Sequence, residues 1–104
     1  MPDPSVRFRS TRQAHSDETA EDYVEAIQQL IDEQGEARVR DLASMMGVSH
    51  VTVSKIIKRL CESSPPLVHT EPYRPVGLTD AGRRLARAVR KRHETVLAFL
   101  LAIG

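Results

Sequence analysis

The fold of this chain is decided by residues 39–60, VRDLASMMGVSHVTVSKIIKRL. Apolar residues recur there every three or four positions, as two short helices that cross at a turn require. Gly47 stands where the first helix must end sharply, because glycine adopts a positive φ without a clash from a β-carbon. Ser49 offers a side-chain oxygen to cap the second helix. The pattern predicts a helix-turn-helix packed through Leu42, Ala43, Met46, Val48, Val53, Ile56 and Leu60.

The outer face of the second helix is polar and basic, which is typical of a helix that enters the major groove of DNA. The residues predicted to face base edges are Ser49, His50, Val51, Thr52 and Lys55, and those predicted to meet phosphates are Lys58 and Arg59. A helical hairpin that binds no nucleic acid is the alternative. The small residue, the turn glycine, the cap and the apolar spacing agree with one another, which favours DNA binding.

A first helix is predicted before this motif, capped by Ser16 or Thr19 and ended by Gly35. Residues 1–15 are basic and contain little to bury, which predicts a flexible arm. The arm either follows DNA phosphates or is a simple tail. The buried stripe of the first helix is predicted to be Tyr23, Ile27, Leu30 and Ile31.

A small hairpin, or wing, is predicted after the motif. The two prolines of CESSPP cannot continue a helix, and residues 67–70 and 76–78 have the pattern of short strands. Arg74 lies at the tip between them, where we expect it either to contact a phosphate or a minor groove, or to be an exposed arginine without a partner. Tyr73 is expected to pack beneath it.

A long last helix is predicted from residue 80 to 104, capped by Thr79. Its first half is basic, with Leu85 and Val89 facing inward. Its second half, residues 96–103, is apolar on nearly every side, and such a surface has to be covered. We expect either a second copy of the chain, in a homodimer, or sequence downstream to cover it.

Composition limits the class of protein. The 104 residues carry a formal net charge of +1 and suffice for one domain with a modest core. The single cysteine, Cys61, excludes an internal disulfide and suits a reducing compartment. No stretch has the pattern of a signal peptide or a membrane span, so we expect a cytoplasmic protein. No spacing unites a nucleophile, a base and an orienting group, so we do not expect an enzyme.

The order of these elements resembles the metal-dependent repressors of the diphtheria-toxin-repressor superfamily, and within it the branch of manganese transport regulators. The similarity runs from about Arg12 to Gly104. The resemblance implies a mainly α fold, a winged helix-turn-helix with a long C-terminal linker and dimerisation helix. It is carried by EDYVEAI (21–27), GEARVRDLA (35–43), GVSHVTVSKIIKRL (47–60), EPYR (71–74), GLTDAGRRLA (77–86) and RHETVLAFLLAIG (92–104).

The resemblance also implies a metal site, because Asp22, Glu25 and His93 fall where the family places manganese ligands. Two carboxylates and an imidazole suit Mn²⁺ better than they suit thiolate-preferring ions. The residues alone favour simpler assignments, with Asp22 a capping partner of Thr19, Glu25 a solvated charge and His93 a polar residue of the last helix. The resemblance reverses that preference. The family adds glutamate and histidine ligands beyond Gly104. We therefore expect an incomplete site in these residues, which are either part of a longer chain or a shortened relative.

The function implied by the resemblance is that of a homodimeric repressor, with Mn²⁺ as cofactor, that binds operator DNA and shuts off manganese uptake genes. Two alternatives remain, a winged-helix DNA-binding module without a metal switch and a winged helix that docks onto another protein. The predicted organisation is an arm over residues 1–15, a DNA-binding domain over 16–79, and the linker helix with the start of a dimerisation domain over 80–104.

Overall fold

The helices and strands follow the predicted order. This computed structural model describes the backbone of residues 4–103 and the side chains of residues 15–103. Two short strands pair antiparallel between the third and fourth helices, with Val68 opposite Leu78. None of the described helices is both long and apolar enough to cross a membrane. The elements are α1 (Pro4–Gln34), α2 (Val39–Met46), α3 (His50–Glu62), β1 (Val68–His69), β2 (Gly77–Leu78) and α4 (Asp80–Ile103).

Helix α1 begins earlier than the pattern predicts, at Pro4 instead of after a cap on Ser16 or Thr19. Thr19 lies inside the helix, where its hydroxyl donates to the carbonyl oxygen of His15 at 2.9 Å. Threonine within a helix often donates such a bond to the preceding turn, so the Thr19 hydroxyl does not cap the helix. The side chains of residues 1–14 lie outside the described part of the chain, and with them the DNA contacts predicted for the arm.

The turn between α2 and α3 has the predicted geometry. Gly47 ends α2 with φ +68°, in the left-handed region. No described atom lies within 4 Å of where its β-carbon would stand, so glycine is needed there for its conformation alone. Ser49 caps α3, since its Oγ accepts a hydrogen bond from the backbone N–H of Thr52 at 3.1 Å.

The buried face of α3 differs from the predicted one at one position, since Ile57 and not Ile56 is buried. Val53, Ile57 and Leu60 are the buried residues of this helix. They follow one another at four and three positions, so they share one face, and Ile56 lies at the edge of that face, only partly buried. Val48 is 38% exposed and does not join the core. The largest fully buried side chains of the molecule are Ile27, Leu42, Val24, Val53, Val68 and Val89.

The base of the wing is fastened to two other parts of the fold. Ala37, between α1 and α2, forms an isolated antiparallel bridge with Val76, whose N–H donates to the Ala37 carbonyl oxygen at 2.8 Å. At the start of α4, the Thr79 hydroxyl accepts from the N–H of Gly82 at 3.0 Å, which confirms the predicted cap. The same hydroxyl donates to the carbonyl oxygen of Pro66 at 2.6 Å. The base of the wing is therefore held to the rest of the domain by hydrogen bonds on both sides.

Helix α4 packs in its first half and is bare in its second. Val89 is buried and Leu85 partly buried, as predicted. From residue 90 to residue 103, every described residue is exposed. Leu101 is 73% and Ile103 67% exposed. The apolar end predicted from the sequence therefore lies uncovered in the described chain.

Candidate functional site

The outer face of α3 is where the structure gathers the predicted base-reading residues. Val51, Lys55 and Lys58 project from the side opposite the buried Val53 and Ile57, because α-helical positions advance by about 100° per residue. A helix presented in this way fits the width of a major groove. The predicted residues on this surface are all exposed, namely Ser49, His50, Val51, Thr52, Lys55, Lys58 and Arg59.

The Ser49 side chain makes hydrogen bonds within the helix-turn-helix itself. Its Oγ accepts from the backbone N–H of Thr52 and its hydroxyl donates to Thr52 Oγ1 at 3.0 Å. The capping bond fixes the first turn of α3, the part that enters a groove first. Thr52 keeps its own O–H, which is available to donate to an acceptor outside the protein.

Lys58 and Arg59 are neighbours in sequence but lie on opposite flanks of α3. Lys58 lines a cleft of about 600 Å³ between α3 and the wing. Arg59 lies toward α1, where burial raises the pKa of the Tyr23 hydroxyl and the charge of Arg59 partly offsets that rise. The two cations therefore face different stretches of any duplex that α3 binds.

The tip of the wing carries Arg74 as predicted, but Tyr73 does not pack beneath it. The turn from Glu71 to Arg74 is closed by a hydrogen bond from the Arg74 N–H to the Glu71 carbonyl oxygen, at 3.1 Å. Tyr73 stands inside this turn with φ +63°, and its side chain is fully exposed. Arg74 Nε lies 3.3 Å from Glu71 Oε2, so this arginine is exposed but has an ionic partner.

The sequence analysis did not single out several residues that line the cleft, among them Arg38 and Ser54. Ser54 precedes Lys58 by one helical turn, so the helical phase alone places both on the wing side. Arg38 carries no such signal, because it precedes α2 and reaches the cleft only through the tertiary fold. Its Nε donates to Glu36 Oε1 at 2.8 Å, and this hydrogen bond raises the pKa of the guanidinium.

Two of the three predicted metal ligands meet between α1 and α4. His93 Nδ1 lies 3.0 Å from Glu25 Oε2. Beside them, the Arg92 guanidinium donates to both carboxylate oxygens of Glu21 at 3.1 and 3.3 Å. Donors at adjacent positions of an octahedral ion, at about 2.1 Å from it, are about 3 Å apart. A separation of 3.0 Å is also that of an N–H···O hydrogen bond, so the spacing of Glu25 and His93 fits either a direct hydrogen bond or a shared divalent cation.

The third predicted ligand, Asp22, lies one turn before Glu25 on α1 and is exposed. Asp22 and Glu25 both line a shallow pocket of about 220 Å³, together with Met45 and Met46 at the end of α2. Within the described residues, no three His, Cys, Asp or Glu side chains are grouped closely enough to hold a metal ion. The described residues thus bring Glu25 and His93 together and place a third carboxylate, Asp22, one helical turn away, but they do not by themselves form a group that could hold a metal ion.

Comparison with known proteins gives a family match over residues 16–76, to the sequence profile described as iron dependent repressor, N-terminal DNA binding domain. The chain is 47% identical over 97 residues to the transcriptional regulator MntR of Escherichia coli O157:H7, covering 93% of this chain and 61% of that protein. MntR of Bacillus subtilis strain 168 is 38% identical over 84 residues, covering 81% of this chain and 58% of that protein. The chain spans about three fifths of the length of these relatives.

Solved structures provide a comparison of the fold. A MarR family protein from Bacillus stearothermophilus aligns with a TM-score of 0.59 at 18% identity, over 97% of this chain and 82% of that chain. A transcriptional regulator from Thermotoga maritima aligns with a TM-score of 0.56 at 20% identity, over 95% of this chain and 77% of that chain. At these identities the likeness concerns the fold alone, and it confirms the predicted winged helix-turn-helix.

Proposed function

Since the chain belongs to the iron-dependent repressor family, we propose that it is a manganese-responsive transcriptional repressor that binds operator DNA and controls manganese uptake genes. The observation that carries the proposal is the capped, exposed and basic outer face of α3, which lies inside the segment that matches the family's DNA-binding domain. Its relatives are transcriptional regulators and not enzymes.

In this proposal α3 lies in the major groove. The side chains of its first two turns face the base edges, and the cations at its end and on the wing neutralise phosphates. Phosphate contacts fix the position of the helix, and the base contacts select the sequence. The base-facing set is Ser49, His50, Val51, Thr52 and Lys55, and the phosphate-facing set is Lys58, Arg59 and Arg74.

The metal in this proposal is Mn²⁺, held by Asp22, Glu25 and His93. When bound, the ion supplies positive charge that holds two carboxylates and an imidazole at one point. Glu25 belongs to the DNA-binding domain and His93 to α4, so their facing positions couple the two. Fixing α4 against α1 before DNA binds removes an ordering cost from the binding step, which raises affinity.

We further propose that the protein acts as a homodimer in the cytoplasm. Residues 16–79 form the DNA-binding domain, and residues 80–104 lead to the dimer surface. The exposed apolar end of α4 supports this proposal, because such a surface in water favours association. A two-fold axis would present two copies of α3 to half-sites about 34 Å apart on one face of the duplex.

A second candidate is a DNA-binding module without a metal switch. It is favoured by one observation, that the described residues contain no group of three metal-ligand side chains. Under this reading the contact between Glu25 and His93 is an ordinary interhelical hydrogen bond.

A DNA-binding titration separates the metal-responsive repressor from the module without a metal switch. A duplex is first enriched from a random pool by the protein itself, and the labelled duplex is then titrated with the protein at fixed salt, with and without Mn²⁺.

Because the site in these residues is expected to be incomplete, residues 1–104 alone should respond little to Mn²⁺. In a chain extended through the next helix we expect tighter binding with Mn²⁺, and loss of that response in Asp22→Asn. Asp32→Asn is the matched control, since this carboxylate of α1 pairs with Arg90 away from the proposed ligands. Equal binding by the extended chain with and without Mn²⁺ favours the module without a switch. Absence of salt-dependent DNA binding contradicts both and leaves docking onto a protein.

A further inference from the structure

The tip of the wing presents an aromatic side chain entirely to solvent. Tyr73 is fully exposed, whereas Tyr23 is buried in the core. A tyrosine has an apolar ring and a polar end, which makes it frequent at surfaces that bind another molecule. Single exposed apolar residues are common on proteins, so exposure needs a second observation before it indicates a contact.

The backbone at Tyr73 provides that second observation. Its φ of +63° lies in the left-handed region, which residues with a β-carbon rarely adopt. The turn has Pro72 in its second position and Tyr73 in its third, the arrangement of a type II turn, in which the third position favours glycine or asparagine. A bulky side chain at such a position does not help the fold, and strained positions of this kind concentrate at functional sites.

The cleft beside the tip indicates which part of a duplex the ring reaches. Three cations, Arg38, Lys58 and Arg74, line this cleft between α3 and the wing together with the carboxylates of Glu62 and Glu71, and Tyr73 is a lining residue at its wing side. With α3 in a major groove, as proposed, the sugar–phosphate strand that borders this groove would pass the cleft, where Lys58 can oppose a phosphate and Arg74 would exchange its partner Glu71 for one. The groove on the far side of that strand is the minor groove.

We propose that Tyr73 enters this minor groove and packs against the sugars and base edges that flank the site read by α3. The minor groove of an A·T pair presents only acceptors, whereas a G·C pair adds the protruding amino group of guanine. The ring therefore selects flanking pairs that lack this amino group. The inference rests on the proposed function, because it requires α3 to bind DNA.

The first experiment separates a DNA contact from a role in the fold. Tyr73→Gly and Tyr73→Asn remove the ring and suit the positive φ, so both full-length variants should unfold at the same temperature as the parent or higher. Their Kd for a duplex enriched from a random pool by the parent should rise about tenfold. An unchanged Kd overturns the inference and leaves the proposed function standing, whereas a parent that binds no duplex overturns both.

The second experiment asks which groove the ring enters. The pairs that flank the site in the enriched duplex are set to G·C in one duplex and to I·C in a second, and the I·C pair keeps the major-groove face of G·C but lacks the guanine amino group. The parent should bind the I·C duplex several-fold more tightly, and Tyr73→Gly should bind the two equally. Equal binding of both duplexes by the parent places the ring outside the minor groove and overturns the inference.

Discussion

Gly47 and Gly82 require glycine for different physical reasons. Gly47 has φ +68° and open space around it, so a side chain there is opposed by the backbone conformation alone. Gly82 lies in the first turns of α4, where a β-carbon would overlap the carbonyl oxygen of Leu67. The helix and the segment before β1 therefore approach each other backbone to backbone, and only glycine permits that approach.

We predict that Gly82→Ala destabilises the fold more than Gly47→Ala does. Alanine at Gly47 meets only the cost of a left-handed residue, about 1 kcal/mol. Alanine at Gly82 must push two backbone segments apart, at about 2–3 kcal/mol. Urea unfolding of both variants measures the difference in the free energy of unfolding. Equal losses would contradict the close packing of α4 on Leu67.

Tyr23 gives the stability of the fold a dependence on alkaline pH. Burial raises its pKa above the ordinary value of 10.0, and the positive charge of Arg59 offsets part of the rise. The unfolded chain thus loses the phenol proton at a lower pH than the folded chain. The contribution of Tyr23 is complete below pH 10 and declines as the pH rises through the folded pKa.

We therefore expect Tyr23→Phe to flatten the loss of stability above pH 10. Unfolding free energies measured from pH 8 to 11 for the parent and the variant test this directly. The matched control is Tyr73→Phe, which removes the same hydroxyl from a fully exposed side chain and should keep the alkaline decline of the parent. A decline that survives in Tyr23→Phe would assign it to another group.

At the scale of elements, α3 presents residues to the core, to solvent and to the cleft beside the wing. Val53, Ile57 and Leu60 face the core, Lys55 faces outward and Lys58 lines the cleft beside the wing. A helix divided in this way can read bases with one side and hold the phosphate backbone with another. Lys55 and Lys58 are thus a matched pair, equal in charge, to which the proposed function assigns different parts of the duplex.

Lys55→Ala should weaken binding to the enriched duplex more than binding to random duplex. The expected difference is about 1–3 kcal/mol if the ammonium reads a guanine. Lys58→Ala should weaken both equally and reduce the salt dependence of binding by about one phosphate. Competition titrations at two or more salt concentrations measure both effects. Equal losses for the two duplexes in Lys55→Ala would reduce this residue to a phosphate contact.

The elements that the sequence predicts best are those specified by local chemistry. The left-handed backbone of Gly47 and the capping bonds of Ser49 and Thr79 are set within three residues along the chain, and each residue has its predicted role. The start of α1 was misplaced because Thr19 serves equally well inside a helix as at its end. The position of Tyr73 was missed because an aromatic side chain predicts burial, and nothing local indicates a left-handed backbone.

At the scale of the whole molecule, the local sequence pattern does not predict which residues far apart in the chain are in contact. Glu25 and His93 are 68 residues apart, and helical periodicity does not tell which turn of α4 meets which turn of α1. Family resemblance proposed the pair, and the fold brings it together at 3.0 Å. Arg38 was missed for the same reason, since it reaches the cleft only after α1, α2 and the wing have packed.

The bare end of α4 predicts self-association. Leu97 and Leu101 are exposed and four residues apart, so they share one face. Replacing both with lysine should weaken association more than tenfold, because each buried leucine contributes about 1.5–3 kcal/mol. Sedimentation equilibrium over a range of concentrations measures this. Ala88→Lys, an exposed change in the packed half of the helix, is the control. An unchanged association constant in the double variant would place the interface elsewhere.

The bridge between Ala37 and Val76 has a consequence for how the wing moves in time. The amide proton of Val76 is held by the Ala37 carbonyl oxygen, between α1 and α2, so its exchange with deuterium requires the base of the wing to detach from the domain. That opening is also what a mobile wing would need in order to swing independently of α3. When the opened wing recloses faster than its amide exchanges, the protection of this amide gives the free energy of opening, and so the fraction of time in which the wing and the helix-turn-helix lose their fixed spacing.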